Sequence, residues 1–281
     1  MITLTAQAAD QEVLEWIHSL KGSTSLLVRG RYTHALYLQG GSKPLVLLSC
    51  DQPVGPFSVV VSSPSFGREW GDVGVVEQGR IVVGSRTVRL DQTQPYRTML
   101  VSREPWHPLA TNEVMRTIWP GQDVLSHVPN QDIRQRLHRH VEQLLNGLKA
   151  DDTGLIRRGL AALIGLGPGA TPAGDDILVG LLVSFSVHRP EWAQQIRANA
   201  PDLAELGTLT TLASVVELVA AMNGRVFSVM NDVVRWLVSP QFDDWSCVTR
   251  LTQSGHTSGR DMLAGMMFGA SAASKHGGRG A

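Results

Sequence analysis

The chain has 281 residues, 43% of them hydrophobic and 18% charged, and its 25 basic and 25 acidic side chains cancel to zero net charge. That balance excludes a disordered chain and offers no electrostatic pull toward nucleic acid or an anionic membrane, which leaves small-molecule partners. Two cysteines, Cys50 and Cys247, are too few for a disulfide framework, and a chain of this length is a prior for about two domains. No basic-then-apolar leader and no apolar run long enough to span a bilayer is present, so a cytoplasmic location is expected.

Taken in chain order, residues 10–20 place apolar groups at helical spacing and predict a short amphipathic helix. From Ser25 to about Val101 the texture changes. Short β-rich runs at 26–28, 35–38, 45–48, 57–61, 73–76, 81–83 and 87–90 are punctuated by Gly40-Gly41, Gly55-Pro56 and Gln78-Gly79. They predict an antiparallel β domain of roughly six or seven strands. Arg29, Arg31 and His34 read as charges on the solvent face of that sheet. At Glu104-Pro105-Trp106-His107-Pro108 the strands stop. This proline-rich joint separates a β-rich domain (1–104) from a helical domain (105–274), with 275–281 a disordered tail. The expected fold class is α+β: an N-terminal antiparallel β domain followed by a mainly α-helical C-terminal domain.

Beyond the joint, helical period covers 111–119, 130–148, 153–164, 172–188, 206–222, 226–238 and 258–273. His138-Arg139-His140 reads as a solvated basic face, because residues two apart on a helix point to different sides. No Cys, His or carboxylate set has metal-ligand spacing, and Asp175 and Asp176 are neighbours about 100° apart on a helix. No metal and no cofactor is expected.

One stretch carries an unusual density of special residues: Gly-Leu-Gly-Pro-Gly-Ala-Thr-Pro-Ala-Gly-Asp-Asp at 165–176, running into an apolar helix. Alternating glycines allow positive φ and close approach of a ligand. Thr171-Pro172 reads as a helix start, with Asp175 and Asp176 in the first turn where the dipole favours negative charge. Unpaired amides at such a start form a cradle for phosphate or carboxylate. The stretch is not a Walker A loop, since no Gly-Lys-Ser/Thr closes it. Gly165-x-Gly167-x-x-Ala170 fits a dinucleotide fingerprint in letters but follows a helix instead of a strand. A plain alternative is a capped helix entering a close helix contact through Gly174 and Gly180.

The pattern recurs. Residues 259–267 lie over 174–182, so that Gly259, Asp261 and Gly265 match Gly174, Asp176 and Gly180, and small polar residues precede each glycine. If the two helices touch at these glycines, both starts open on one pocket, and the short acids Asp176 and Asp261 reach back toward loop amides. Between them, Thr208, Thr211 and Ser214 make a polar stripe in an apolar segment. Such hydroxyls either bond their own backbone or form a polar wall beside the glycine loops.

At 165–176, at Gly255-His256-Thr257-Ser258-Gly259-Arg260-Asp261 and around Thr208, Thr211 and Ser214, the chain resembles the AllH-type subunit family of oxamate carbamoyltransferase. The resemblance implies anaerobic allantoin breakdown, in which oxalurate plus phosphate is interconverted with oxamate plus carbamoyl phosphate. It also implies a heteromeric enzyme in which this subunit works with two others. Such chemistry requires no protein nucleophile; the protein must orient two anionic substrates and stabilise the tetrahedral oxyanion. On this reading Gly167, Gly169, Thr171, Gly174, Asp175, Thr208, Thr211, Thr257, Ser258, Gly259 and Arg260 bind substrate, and the catalytic residues are His256, which moves a proton, and Asp176 and Asp261, which orient the glycine loops or an acceptor amine. No Ser-Thr-Arg-Thr phosphate motif of well-known transcarbamylases is present. Two other readings stand beside this one: a non-catalytic ligand-binding or structural subunit, and a nucleotide-dependent enzyme that lacks its expected phosphate lysine.

Overall fold

A computed structural model describes residues 2–41 and 43–274, so the expected disordered tail at 275–281 lies outside the described residues. Two compact units divide the chain, one formed by Met1–Met99 with Val226–Ser228, the other by Leu100–Arg225 and the chain from Val229 onward.

The first unit holds β1 (Ile2–Asp10), α1 (Gln11–His18), β2 (Thr24–Arg31), β3 (Ala35–Gly40), β4 (Lys43–Leu48), β5 (Ser58–Val61), β6 (Val73–Glu77), β7 (Arg80–Val83), β8 (Arg86–Arg89) and β9 (Gln94–Tyr96). The strands form one sheet in the order β5-β4-β3-β2-β6-β7-β8-β1-β9. It closes on itself because β1 also pairs with β5, with Ala6 opposite Val61 and Ala9 opposite Val59. Closure into a barrel removes the free edges that an open sheet would expose. Inward positions follow the two-residue period of strands: Leu36 and Leu38, Leu45 and Leu47, Val59 and Val61, Ile81 and Val83 are all buried in one core. Val13 and Ile17 of α1 join that core, and the Asp10 carboxylate accepts the Glu12 amide to start the helix.

The expected purely antiparallel sheet is corrected to a mixed one. β1 runs parallel to β8 and β9, and β4 runs parallel to β5. Hairpin-linked neighbours are antiparallel, as short turns demand. The connection 49–57 is no hairpin but returns the chain to the end where β4 began. β1 meets β8 only through barrel closure, far from it in sequence.

The second unit is helical: α2 (Pro108–Ile118), α3 (Gln131–Ala150), α4 (Thr153–Leu163), α5 (Ala173–His188), α6 (Pro190–Asn199), α7 (Leu203–Leu209), α8 (Leu212–Met222), α9 (Ser228–Val238), α10 (Ser246–Thr252) and α11 (Ser258–Ser274). α5 is apolar around nearly its whole circumference and almost entirely buried, as a helix at the centre of a bundle must be. α4, α6, α8 and α11 pack against it. α3 and α4 form a hairpin turned by Asp151 in the left-handed conformation, and Asp152 then caps α4 by accepting the Leu155 amide at 2.9 Å.

The expected helix over 206–222 is broken at Thr210, whose backbone is extended; Thr211 restarts the chain as the N-cap of α8, its hydroxyl accepting the Ser214 amide at 3.2 Å. Three threonines among 208–211 compete with the backbone for hydrogen bonds, which favours a cap over continued helix. Among the described residues no helix is long and apolar enough to cross a membrane.

Candidate functional site

Two glycine-led helices build the site. A Cβ placed on Gly180 would fall on the carbonyl oxygen of Met262, and one on Gly265 would fall on that of Ile177. Ile177 and Met262 each stand one residue after the paired acids Asp176 and Asp261, so the contact is a reciprocal one between α5 and α11. Further along, Gly269 meets Ser184, and at the head Thr171 Oγ1 lies 2.7 Å from Ser258 Oγ. The pairs advance together along both helices, so α5 and α11 pack in parallel with their N-termini side by side. The first glycines repeat the same trick on the preceding helices: a Cβ on Gly174 would meet the Leu163 carbonyl of α4, and one on Gly259 the Leu251 carbonyl of α10. The Gly174 amide bonds Leu166 O at 2.9 Å and the Gly259 amide bonds Ser254 O at 3.1 Å. The sequence repeat is thus a structural repeat of helix, loop and glycine-led helix.

The loop itself bends through Gly165, Gly167 and Gly169, which have φ of 75°, 121° and 108°, a region that side chains disfavour. Asp175 holds it. Its Oδ1 accepts the Gly165 amide at 2.9 Å and its Oδ2 accepts the Thr210 hydroxyl. Thr211 donates its hydroxyl to the carbonyl of Ala170, tying the start of α8 to the loop. Among the described residues the amides of Gly167, Gly169, Ala170 and Thr171 have no hydrogen-bond acceptor, so the loop keeps donors free for a ligand.

Behind the loop sits a cluster of three buried acids, Asp175, Asp176 and Asp261, joined by the half-buried Glu217. Asp176 is 1% exposed, and neither of its carboxyl oxygens has a hydrogen-bond partner. Asp261 is fully buried; its Oδ1 lies 2.8 Å from His127 Nε2, while Oδ2 has no partner. Desolvation pushes the Asp176 carboxyl well above the usual carboxylate range, and the charges of Glu217, Asp261 and Asp175 push the same way; the Ser258 hydroxyl opposes this from outside hydrogen-bond geometry. Burial, with the Asp175 charge added, raises Glu217 to about 8. Asp175 is raised by burial too, against the opposing bonds from Thr210, Gly165 and Ser214. Glu217 therefore holds a proton near neutral pH, where an ordinary carboxylate has lost its own. Among the described residues no group of three or more His, Cys, Asp or Glu is arranged to hold a metal ion.

The pH dependence follows with a definite sign. In the unfolded chain Glu217 releases its proton near 4.5, but in the folded protein near 8. Between those values the folded state binds the extra proton, so stability falls as pH rises through that window and levels off above it. Thermal melts from pH 5 to 9 are expected to show a declining melting temperature, and Glu217→Gln is expected to flatten the decline and to raise the melting temperature at pH 8. A Glu217→Gln profile that tracks the wild type at every pH would remove Glu217 from this account.

The residues expected at the site divide into groups. Thr171, Ser258, Asp175, Thr211, Asp176 and Asp261 gather at the joint start of α5 and α11. Gly167 and Gly169 shape the open loop, whereas Gly174 and Gly259 are buried in helix contacts. Thr171 does not cap α5 as its position suggests: Pro172 is the N-cap residue, and the Thr171 hydroxyl goes to Ser258. The reach back to a loop amide belongs to Asp175, not to Asp176. Thr257 serves through its carbonyl, which accepts the Arg260 and Asp261 amides at 2.9 and 3.0 Å. His256 and Arg260 are exposed. Thr208 is also exposed and bonds the Glu205 carbonyl of its own helix at 2.7 Å, outside the cluster.

Sequence reasoning passed over His127, Thr210 and Glu217. His127 lies in an irregular segment 134 residues before its partner, and no spacing rule connects them. Glu217 did carry a signal, as the one charged side chain in the apolar helix LASVVELVAAM.

Comparison with known families places the same region in focus. Residues 163–270 match the family model described as oxamate carbamoyltransferase subunit AllH, which bears out the resemblance read from the glycine motifs. The matched segment runs from the end of α4 through most of α11. No curated protein and no solved structure matches the chain.

Proposed function

From the match of residues 163–270 to the AllH subunit of oxamate carbamoyltransferase, we propose that the chain is a subunit of a heteromeric carbamoyltransferase interconverting oxalurate plus phosphate with oxamate plus carbamoyl phosphate. The observation that carries the reading is that the matched segment contains both glycine-led helices and the buried acids between their starts. In the synthetic direction the oxamate nitrogen attacks the carbamoyl carbon, the carbon–oxygen bond to phosphate breaks, and one proton passes from that nitrogen to the departing phosphate. The protein's part is to orient two anions and to carry that proton. Free amides at 167–171 and the exposed Arg260 suit the anions. Asp176, paired through the repeat with Asp261, suits the proton, because burial raises its proton affinity well above that of an ordinary carboxylate. His256, exposed beside Arg260, is a second proton carrier.

One observation favours the alternative, a non-catalytic ligand-binding or structural subunit: Asp176 and Asp261 are 1% and 0% exposed. The experiment that separates the two measures oxalurate formation from oxamate and carbamoyl phosphate by the chain alone, by its two partner subunits alone, and by all three together. Activity that requires this chain, and falls with Asp176→Asn in a folded complex, supports the catalytic reading. Activity that requires the chain but ignores that substitution supports the alternative. Full activity of the partners without the chain overturns both.

A further inference from the structure

The glycine loop also walls a cleft of ≈ 880 Å³ whose other sides are α3, α4 and the turn at 128–130. Its lining is mostly apolar, from Val128, Ile133, Ile164 and Leu166 among others, and it includes no carboxylate. Arg136 and His140 both line it. They stand four residues apart on α3 and so share one helix face. Thus the basic run at 138–140 is not uniformly solvated: His138 bonds Asp123 at 2.7 Å, while His140 turns to the cleft.

Two features mark the cleft as unfinished without a ligand. The Nδ1 atom of His140 is buried and has no hydrogen-bond partner among the described residues, a state that is unfavourable unless something else completes it. Arg136 has one acidic neighbour, Asp132 at 3.9 Å, in a pair whose side chains are 47% and 76% exposed. So open a pair holds the guanidinium weakly. Gly167, on the opposite wall, adds an amide with no partner.

We infer that this cleft binds the oxyanion end of a small acid, a carboxylate or a phosphate, through Arg136 and His140 of α3. A guanidinium gives two parallel N–H donors that match either anion, and His140 adds a third donor one turn away. The identity of the acid, oxamate or the phosphate of carbamoyl phosphate, rests on the carbamoyltransferase reading; the existence of the site does not.

The test is calorimetric titration of the full chain with inorganic phosphate and, separately, with oxamate. Wild type is compared with Arg136→Gln, His140→Gln and, as control, Arg139→Gln, an exposed neighbour outside the cleft. At least one anion is expected to bind, and Arg136→Gln to weaken it about tenfold or more, the effect of losing charge-assisted bonds. His140→Gln is expected to weaken it less, and Arg139→Gln less than twofold. Loss confined to the phosphate titration assigns the phosphate end to the cleft; loss confined to oxamate assigns the acceptor carboxylate. If neither anion binds, or if binding is indifferent to both Arg136→Gln and His140→Gln, the inference is overturned. Binding that depends on Arg136 in a chain whose complex makes no oxalurate would leave this site standing while the carbamoyltransferase reading falls.

Discussion

Gly265→Ala is expected to destabilise the helical unit by about 1–3 kcal/mol, the range for forcing an extra carbon into a packed contact. Alanine is the better helix former by about 1 kcal/mol, so considered alone the substitution would stabilise α11. The contact decides the sign. A Cβ at 265 would fall on the backbone of Ile177, and backbone cannot swing aside as a long side chain can. The helices must separate along their shared line, and Asp176 and Asp261 sit next to the residues that would move. Gly180→Ala meets the Met262 backbone and is expected to behave alike. Gly207 of α7, with open space around its Cβ position, provides the control: Gly207→Ala is expected to be neutral or stabilising by up to about 1 kcal/mol. Chemical denaturation of the three variants reads all of this. Equal, small effects at 180, 207 and 265 would mean that α5 and α11 do not pack as described.

His127→Ala is expected to have an effect at least as large. Asp261 is fully buried, and His127 Nε2 at 2.8 Å supplies the hydrogen bond its Oδ1 makes. Removing one partner of a buried pair leaves the other desolvated and unpaired, which costs about 3–5 kcal/mol. His127→Gln retains an N–H donor at the end of a side chain of similar reach and is expected to recover part of the stability. A loss that glutamine does not recover at all would assign His127 a packing role beside Trp119, whose ring centroid lies 6.4 Å away.

These outcomes bear on what the amino-acid order discloses. A close contact of α5 with α11 was suggested by the repeat, because Gly180 and Gly265 stand at matching offsets from the paired aspartates, but whether the two helices touch and that they run parallel came only from the fold. The centre of the bundle was legible too, since α5 is apolar on every side. Most strands were visible as β-branched runs, but β1, with Thr, Gln and three Ala among its nine residues, lacked that composition and went unseen. Without β1 its parallel pairings with β8 and β9 and the barrel closure had no basis, because they join segments far apart in the chain; β4 and β5 were both read, but not the connection that sets them parallel. The roles of Asp175 and Asp176 were exchanged for a similar reason. One step around a helix separates a carboxylate that reaches the Gly165 amide from one that faces Glu217 and Asp261, and the phase of that rotation depends on neighbours contributed by α8 and α11. His127 shows the limit: its importance lies wholly in a contact that only the folded chain creates.

The central claim is that the paired start of α5 and α11 moves a proton during carbamoyl transfer, with Asp176 as its carrier. Its most direct test is the steady-state rate of oxalurate formation from oxamate and carbamoyl phosphate by the three-subunit complex, wild type against Asp176→Asn, with melting temperatures recorded on the same samples. Asparagine is isosteric and neutral, so it relieves the burial of a charge, and the variant is expected to melt at the wild-type temperature or above it at pH 8. The account predicts that kcat falls by about 100-fold or more, the scale of lost acid–base catalysis. A folded Asp176→Asn complex that turns over at the wild-type rate would contradict it.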